Sequence, residues 1–207
     1  MNRVMRTYEL LFERFGHQHW WPADSPWEVC TGAVLTQNTN WRNVEKALDE
    51  LKRHHALDPE KILDMEMEEL SEQIRPSGFF RIKAARLKAV AQWWLVHKDS
   101  DESTSRLRES LLDVPGVGPE TADSILLYAL ERPTFVIDAY TKRISARHLG
   151  TAPNADYHFL QQFYMDHLPR EVRLFNEYHA LLVQNAKAYC RKGECLPGCP
   201  LRTPGRS

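Results

Sequence analysis

This sequence contains a carboxylate and a glycine-rich turn whose residue types and spacing are suited to binding and acting on a charged substrate. Asp138 directly follows the apolar run at 135–137, which would deliver one carboxylate to the start of the next helix. Gly116 and Gly118 lie in a turn where the absence of side chains leaves backbone N–H groups open at a helix N-terminus. Such a terminus favours an anion such as phosphate. Together these features predict a carboxylate held close to a bound phosphodiester backbone.

Two helices must meet to form this turn, one ending near Leu112 and the other starting near Pro119, with its hydrophobic part at residues 122–130. Each feature also has an ordinary interpretation when it is taken alone. A Gly-x-Gly pattern is usually only a turn, and Asp138 alone would most simply cap a helix over residues 139–149. The combination of hairpin and carboxylate is what indicates a function.

The segment Leu-Asp-Val-Pro-Gly-Val-Gly-Pro-Glu-Thr-Ala at 112–122, followed by Phe-Val-Ile-Asp at 135–138, carries a resemblance. It resembles the helix-hairpin-helix, loop and aspartate signature of the endonuclease III superfamily of DNA glycosylases, also called HhH-GPD. The resemblance implies an all-α fold of two lobes with a central cleft. Members of this superfamily flip a damaged base out of duplex DNA and cut its N-glycosidic bond. The resemblance therefore implies a base excision repair enzyme with Asp138 as its catalytic carboxylate.

One position departs from the pattern of the bifunctional members, in which a lysine follows the second turn glycine by two residues. This sequence has Glu120 there, and a carboxylate cannot form the imine that an amine forms. The hairpin is more similar to that of the 3-methyladenine DNA glycosylases, so we expect a monofunctional enzyme acting on alkylated purines. Two alternatives stay open. One is an endonuclease III-like glycosylase and AP lyase on oxidised pyrimidines or abasic sites, using Lys142 or Lys187; the other is a non-catalytic DNA-binding module.

The resemblance also implies which residues contact damaged double-stranded DNA. In relatives, a glutamine at the position of Gln37 fills the gap left by the flipped base, although Gln-Asn-Thr-Asn can equally be a helix-capping turn. The basic segment 77–88 resembles one that lies beside DNA, although its charges could also form a solvated face. Glu120 and Trp27 are candidates for the base pocket. The candidate DNA-binding residues are Gln37, Asn38, Ser77, Arg81, Lys83, Gly116, Val117, Gly118, Glu120, Thr121, Lys142 and Arg143.

Three cysteines lie near the C-terminal end of the sequence, at Cys190, Cys195 and Cys199. Many superfamily members bind a [4Fe-4S] cluster there through four cysteines, and no fourth cysteine follows in this sequence. Cys30 lies in an apolar stretch that we expect in the core. We therefore expect no cofactor and a decayed metal site. The alternative is a cluster held by the three cysteines or with an unusual fourth ligand.

Composition limits the remaining possibilities. The 207 residues include 27 basic and 28 acidic side chains, so a DNA-binding face must concentrate its basic residues locally. No segment is apolar enough for a membrane span, and the N-terminal residues do not resemble a signal peptide. We expect a cytoplasmic, nucleoid-associated monomer. Its single glycosylase unit, 1–207, should comprise a six-helix lobe at 25–130, which contains the hairpin, and a second lobe formed by 1–24 with 131–207.

Overall fold

The computed structural model describes residues 2–202 and consists of helices joined by short turns, as the predicted all-α fold requires. No strand occurs in that range, where an isolated bridge pairs Cys190 with Cys195. Every helix described is too short or too polar to cross a lipid bilayer. The α-helices are α1 (Arg3–Phe15), α2 (Pro26–Leu35), α3 (Trp41–Arg53), α4 (Pro59–Asp64), α5 (Met67–Gln73), α6 (Phe80–His97), α7 (Thr104–Leu112), α8 (Pro119–Ser124), α9 (Ala139–Ile144), α10 (Tyr157–His167) and α11 (Val172–Ala188). A 3-10 turn covers Arg75–Ser77, and π-helical turns cover Ile125–Ala129 and Ser145–Leu149.

Helix α2 lies at the centre of a compact unit formed by residues 23–132. Its residues 27–35 are all buried, because the helix is apolar on nearly every side and must be covered on every side. Helices α3, α6 and α8 and the π-helical turn Ile125–Ala129 pack against it. The Ser25 hydroxyl caps α2 by accepting the Glu28 N–H at 3.2 Å, and Pro26 occupies the first helical turn.

Helices α7 and α8 form the predicted hairpin within this unit. A buried ion pair joins them: Arg108 donates from Nε and Nη2 to the two carboxylate oxygens of Asp123, at 2.8 and 3.0 Å. Asp123 is fully buried. The second helix begins at Pro119, as predicted, and becomes π-helical at Ile125. The ion pair therefore fixes the two helices on either side of the glycine turn.

The second compact unit comprises Met1–Pro22 and Pro133–Ser207, of which the structure describes residues 2–22 and 133–202. Helix α11 packs against α1 and α9. The Phe135 ring stacks on Tyr164 with centroids 4.2 Å apart and meets Tyr178 edge-on at 5.8 Å. Tyr178 donates its hydroxyl to the Val4 carbonyl at 2.8 Å. This aromatic core holds the buried segment that leads to Asp138.

Candidate active site and DNA interface

Asp138 is the N-cap of α9, and its side chain remains 14% exposed. Its Oδ1 accepts the Thr141 backbone N–H at 2.7 Å, which fixes the orientation of the carboxyl group. Its Oδ2 lies 3.7 Å from Nε2 of His179 on α11. The capping interpretation of the sequence is thus confirmed. Capping engages only one oxygen of the carboxylate, so the cap and a catalytic role are compatible.

His179 gives the carboxylate a neighbour that the sequence shows only as a histidine on an apolar helix face. Its side chain is 6% exposed. Burial lowers the pKa of His179, and the nearby Asp138 carboxylate opposes this shift without overcoming it. A neutral imidazole beside Asp138 leaves the negative charge of the carboxylate available to a positively charged reaction centre.

The hairpin turn has two glycines in different conformations. Gly116 has a φ of +83°, in the left-handed region that favours glycine, whereas Gly118 has a φ of −94° and precedes Pro119 as the N-cap of α8. The Val117 N–H already donates to the Val114 carbonyl at 3.0 Å. The candidate DNA-binding residue Val117 therefore has no open N–H group, because that group closes the turn.

Gln37 lies against this hairpin within the same compact unit. Its Nε2 donates to the Gly116 carbonyl at 3.1 Å and to the Thr121 hydroxyl at 3.0 Å. Arg86 Nη1 donates to Gln37 Oε1 at 2.6 Å. The structure thus brings together three of the predicted DNA-binding residues, Gln37, Gly116 and Thr121. The neighbouring Asn38 is exposed with a φ of +54°.

A groove of about 450 Å³ runs beside the hairpin, with Arg81 and Arg86 on one wall and Gly116 on the other. Ile82 also lines it and is 55% exposed, and Phe79 at the start of α6 is 65% exposed with a φ of +49°. Phe79 and Ile82 were not among the residues predicted from sequence to contact DNA. Large apolar side chains that are exposed to solvent beside basic side chains are well placed to contact unstacked bases.

Some of the predicted contact residues are buried, which corrects the expectation for them. Ser77 is fully buried and donates its hydroxyl to the Ile74 carbonyl at 2.8 Å. Lys83 is 1% exposed and donates from Nζ to the carbonyls of Leu35 and Ser77, at 2.8 and 2.7 Å. Neither side chain is available to a phosphate in this arrangement. Lys83 instead connects the end of α2 to the turn before α6.

Side chains of three further candidates are also buried. Trp27 is 4% exposed, and its ring centroid lies 6.2 Å from that of Trp94, so it packs in the core and does not line a base pocket. The side chains of Val117 and Thr121 are 7% exposed, and the Thr121 hydroxyl is used by Gln37. By contrast, Glu120 and Gly118 are exposed at the turn, as is Arg81 on α6.

The other compact unit contributes Lys142 and Arg143, which follow Asp138 on α9. Both line a groove of about 520 Å³ together with Arg147. The Arg143 guanidinium lies 5.1 Å from the ring centroid of Tyr140 and donates from Nε to the Cys190 carbonyl at 2.7 Å. One helix therefore carries the carboxylate at its start and a basic groove over its following turns.

The cysteine-containing tail folds against the π-helical turn that continues α9. Arg147 holds it there by donating to the carbonyls of Arg191 and Glu194, at 3.0 and 2.7 Å. Burial and, after it, the adjacent sulfur atoms of Cys199 and Cys190 together raise the pKa of Cys195 to about 12. The sulfur therefore stays protonated until a cation binds. Among the described residues, His148, Cys195 and Cys199 place ligand atoms close enough together to hold a metal ion, and Cys190 Sγ lies 3.7 Å from His148 Nε2.

The chain is all-helical, contains a helix-hairpin-helix and has an aspartate at the start of a following helix. These features are typical of the class of helix-hairpin-helix DNA glycosylases. Residues 31–170 match the HhH-GPD superfamily of base excision DNA repair proteins, and the chain belongs to that family. It is a DNA repair glycosylase of this superfamily.

Similar proteins agree with this assignment. A protein of Methanocaldococcus jannaschii named as a DNA repair glycosylase is 43% identical over 206 residues, which cover 96% of this chain and 94% of that protein. The crystal structure of an H. pylori 3-methyladenine DNA glycosylase bound to 1,N6-ethenoadenine is 29% identical, with a TM-score of 0.75 over 90% of this chain and 98% of that chain. An endonuclease III trapped on DNA shares the fold, with a TM-score of 0.82 at 21% identity over 97% and 93% of the two chains.

Proposed function

We propose that this protein hydrolyses the N-glycosidic bond of alkylated purines in duplex DNA, with Asp138 as the catalytic carboxylate and without a lyase step. The observation that carries the proposal is the environment of that carboxylate. One oxygen is fixed by the Thr141 N–H, while the other lies beside the buried imidazole of His179 at 3.7 Å. Such a group is oriented and charged, and it is only partly shielded from solvent.

Departure of the base leaves positive charge on the deoxyribose, which a preorganised carboxylate stabilises. The same carboxylate can accept a proton from the attacking water, so that the sugar gains a hydroxyl as the base leaves. A purine alkylated at N3 or N7 is already cationic and leaves without strong acid catalysis. We assign His179 the role of a positioning residue, because its neutral ring keeps Asp138 in place without cancelling its charge.

Glu120 supports hydrolysis in preference to lyase chemistry. It is exposed at the hairpin, at the position where bifunctional relatives carry the amine that attacks the sugar. A carboxylate there cannot form an imine, and its negative charge would attract a cationic base. The H. pylori relative, a 3-methyladenine DNA glycosylase, favours the same substrate class.

The DNA-binding surface that we propose combines the hairpin turn with the groove beside it. Arg81 and Arg86 would contact phosphates, and Gly118 allows the backbone to approach the strand closely. Gln37 and Phe79 would fill the space left by the flipped base, as an amide and an apolar ring respectively. Lys142 and Arg143 would contact the strand on the Asp138 side. We expect the protein to act as a monomer on cytoplasmic, nucleoid DNA.

The test uses duplex oligonucleotides that carry single alkylated, oxidised or deaminated bases, with base release and strand breakage recorded separately. Asp138→Asn should abolish release of alkylated purines while DNA affinity is maintained. Asp156→Asn is a matched control, because Asp156 caps α10 in the same way by accepting the Phe159 N–H at 2.8 Å. Asparagine caps a helix as well as aspartate does, so both variants should keep their caps, and Asp156→Asn should also keep activity. Wild-type activity in Asp138→Asn, or an equal loss of activity in both variants, would refute a catalytic role for the Asp138 carboxylate.

The second candidate is an endonuclease III-like glycosylase and lyase. It is favoured by the endonuclease III of Thermotoga maritima, which is 32% identical over 137 residues, or 66% of this chain and 62% of that protein. Borohydride treatment of the protein on DNA with an abasic site distinguishes the two activities. A covalent adduct that Lys142→Ala or Lys187→Ala removes would refute hydrolysis without lyase. Unchanged DNA binding with no base released from any substrate would instead indicate a non-catalytic module.

A further inference from the structure

Three cysteines and one histidine come together where the C-terminal tail meets the π-helical turn after α9. His148 Nε2 lies 3.7 Å from Sγ of Cys190 and 3.7 Å from Sγ of Cys195. The ligand atoms of His148, Cys195 and Cys199 all lie within 4.8 Å of one another. Cys190 and Cys199 are buried, and Cys195 is partly buried. Cys190 lies outside this group of three and approaches it through His148, so the cluster is a set of buried or partly buried sulfur atoms around one imidazole nitrogen.

The superfamily implies a [4Fe-4S] cluster here, and the residues present can be compared with what that cluster requires. A four-iron cluster is held by four thiolates, one at each iron corner, so its ligand atoms stand well apart. A single tetrahedral zinc ion, with Zn–S of about 2.3 Å and Zn–N of about 2.0 Å, places neighbouring ligand atoms about 3.5–3.8 Å apart. The two separations of 3.7 Å from His148 match the single ion. Three thiols and an imidazole do not fit the four-cysteine cluster.

We propose that His148, Cys190, Cys195 and Cys199 bind one divalent metal ion of the zinc class, and that this ion fixes the C-terminal tail to the end of α9. Three cysteines with one histidine form a closed structural zinc site, in which no position is left for substrate. On binding, the three thiols release their protons to solvent and the histidine coordinates as a neutral imidazole. The site is separate from the chemistry of Asp138 and does not rest on the proposed substrate.

The surroundings of the cluster suit this assignment. His148 makes a hydrogen bond to the backbone of Leu201, and such a bond orients a ligating ring. Arg147 donates from Nη1 to Cys190 Sγ at 3.0 Å. One divalent ion with three thiolates carries a net single negative charge, which the Arg147 guanidinium offsets. The hydrogen bonds that would orient the ligands and offset their charge are therefore already present around the proposed metal site.

The experiment measures metal in the untagged full-length protein, purified from cells supplied with both iron and zinc. Elemental analysis should find about one zinc per chain, with iron and acid-labile sulfide at trace levels. Exchange with Co²⁺ should give the visible bands of a tetrahedral ion and a sulfur-to-cobalt charge-transfer band. Cys195→Ser and His148→Gln should lose most of the bound metal. His148→Cys should retain it, because it supplies a fourth sulfur ligand.

Two substitutions outside the cluster are matched controls. Cys30→Ala removes the remaining cysteine, which lies in α2, and His54→Gln removes an exposed histidine at the end of α3. Both should keep the metal content of the wild type. Iron and sulfide in stoichiometric amounts would overturn the proposal in favour of a cluster, and a chain that binds neither Zn²⁺ nor Co²⁺ would show a decayed site. If a ligand variant does not fold, the Co²⁺ spectrum of the wild type alone decides the ligand set.

Discussion

Replacing Gly116 by alanine should destabilise the hairpin far more than the same replacement at Gly118. Gly116 has a φ of +83°, and an added Cβ would lie 2.3 Å from Nε of Arg86. Gly118 has a φ of −94°, and nothing lies within 4 Å of a Cβ built there. The two residues belong to one turn. Comparing the two variants therefore separates the effects of backbone conformation and local space from the other properties of the hairpin.

The expected difference follows from two contributions. Forcing a residue with a side chain into the left-handed region costs about 1–2 kcal/mol. The clash must also displace Arg86, which breaks its hydrogen bond to Gln37 at 2.6 Å and costs about 1.5 kcal/mol for a partly buried charged donor. Gly116→Ala should therefore lower the free energy of unfolding by about 2.5–3.5 kcal/mol. Gly118→Ala should leave it unchanged or raise it by up to about 1 kcal/mol.

Urea unfolding followed by tryptophan fluorescence measures both variants against the wild type, in the absence of DNA. Affinity for an undamaged duplex, measured by fluorescence anisotropy, should fall for Gly116→Ala as well, because Arg86 and Gln37 both lose their positions. Coincident unfolding midpoints for the two variants would refute the reasoning. That result would mean that neither the conformation of Gly116 nor its contact with Arg86 is maintained in solution.

Two further perturbations test buried charges. Lys83→Met should lower the free energy of unfolding by about 2–4 kcal/mol, because the carbonyls of Leu35 and Ser77 lose their donor. Burial lowers the pKa of Lys83 to about 8 from 10.5, so above pH 8 the unfolded chain holds a proton that the folded chain releases. Stability should therefore gain a contribution as pH rises from 8 to 10.5, and urea titrations of Lys83→Met should lack it. Arg108→Met should cost about 3–5 kcal/mol by leaving the buried Asp123 carboxylate without its guanidinium, and a double variant with Asp123→Asn should recover part of that loss in thermal unfolding.

The superfamily was predictable from sequence because its signature is local. Hairpin glycines, the flanking apolar residues and Asp138 lie within one short segment, and the backbone conformations that they require are properties of those residues. Helix starts were predictable for the same reason. The caps at Ser25 and Asn40 depend on side chains that reach backbone N–H groups three residues away.

The burial of individual polar residues was not predicted, although the 3.6-residue helical period indicates which face of a helix such a residue lies on. Lys83 lies four residues before Leu87, on the same buried stripe of α6 that continues to Ala91. Arg81, two residues earlier, falls on the exposed face. Both residues were predicted as phosphate contacts because the basic segment 77–88 resembles one that lies beside DNA. The partners of Lys83 are carbonyls whose positions depend on how α2 and the turn before α6 pack together, which no local pattern encodes.

The sequence left open an unusual fourth ligand beside the three cysteines but could not identify His148 as that residue. His148 precedes Cys190 by 42 residues and lies in a π-helical turn, where the 3.6-residue period that predicts helix faces no longer holds. The period therefore could not show that the ring faces the tail. The π-helical turn directly continues α9, which begins after the Asp138 cap. A metal bound by His148 would thus fix the far end of the element that carries the carboxylate, so the tail would help to position Asp138 without touching it.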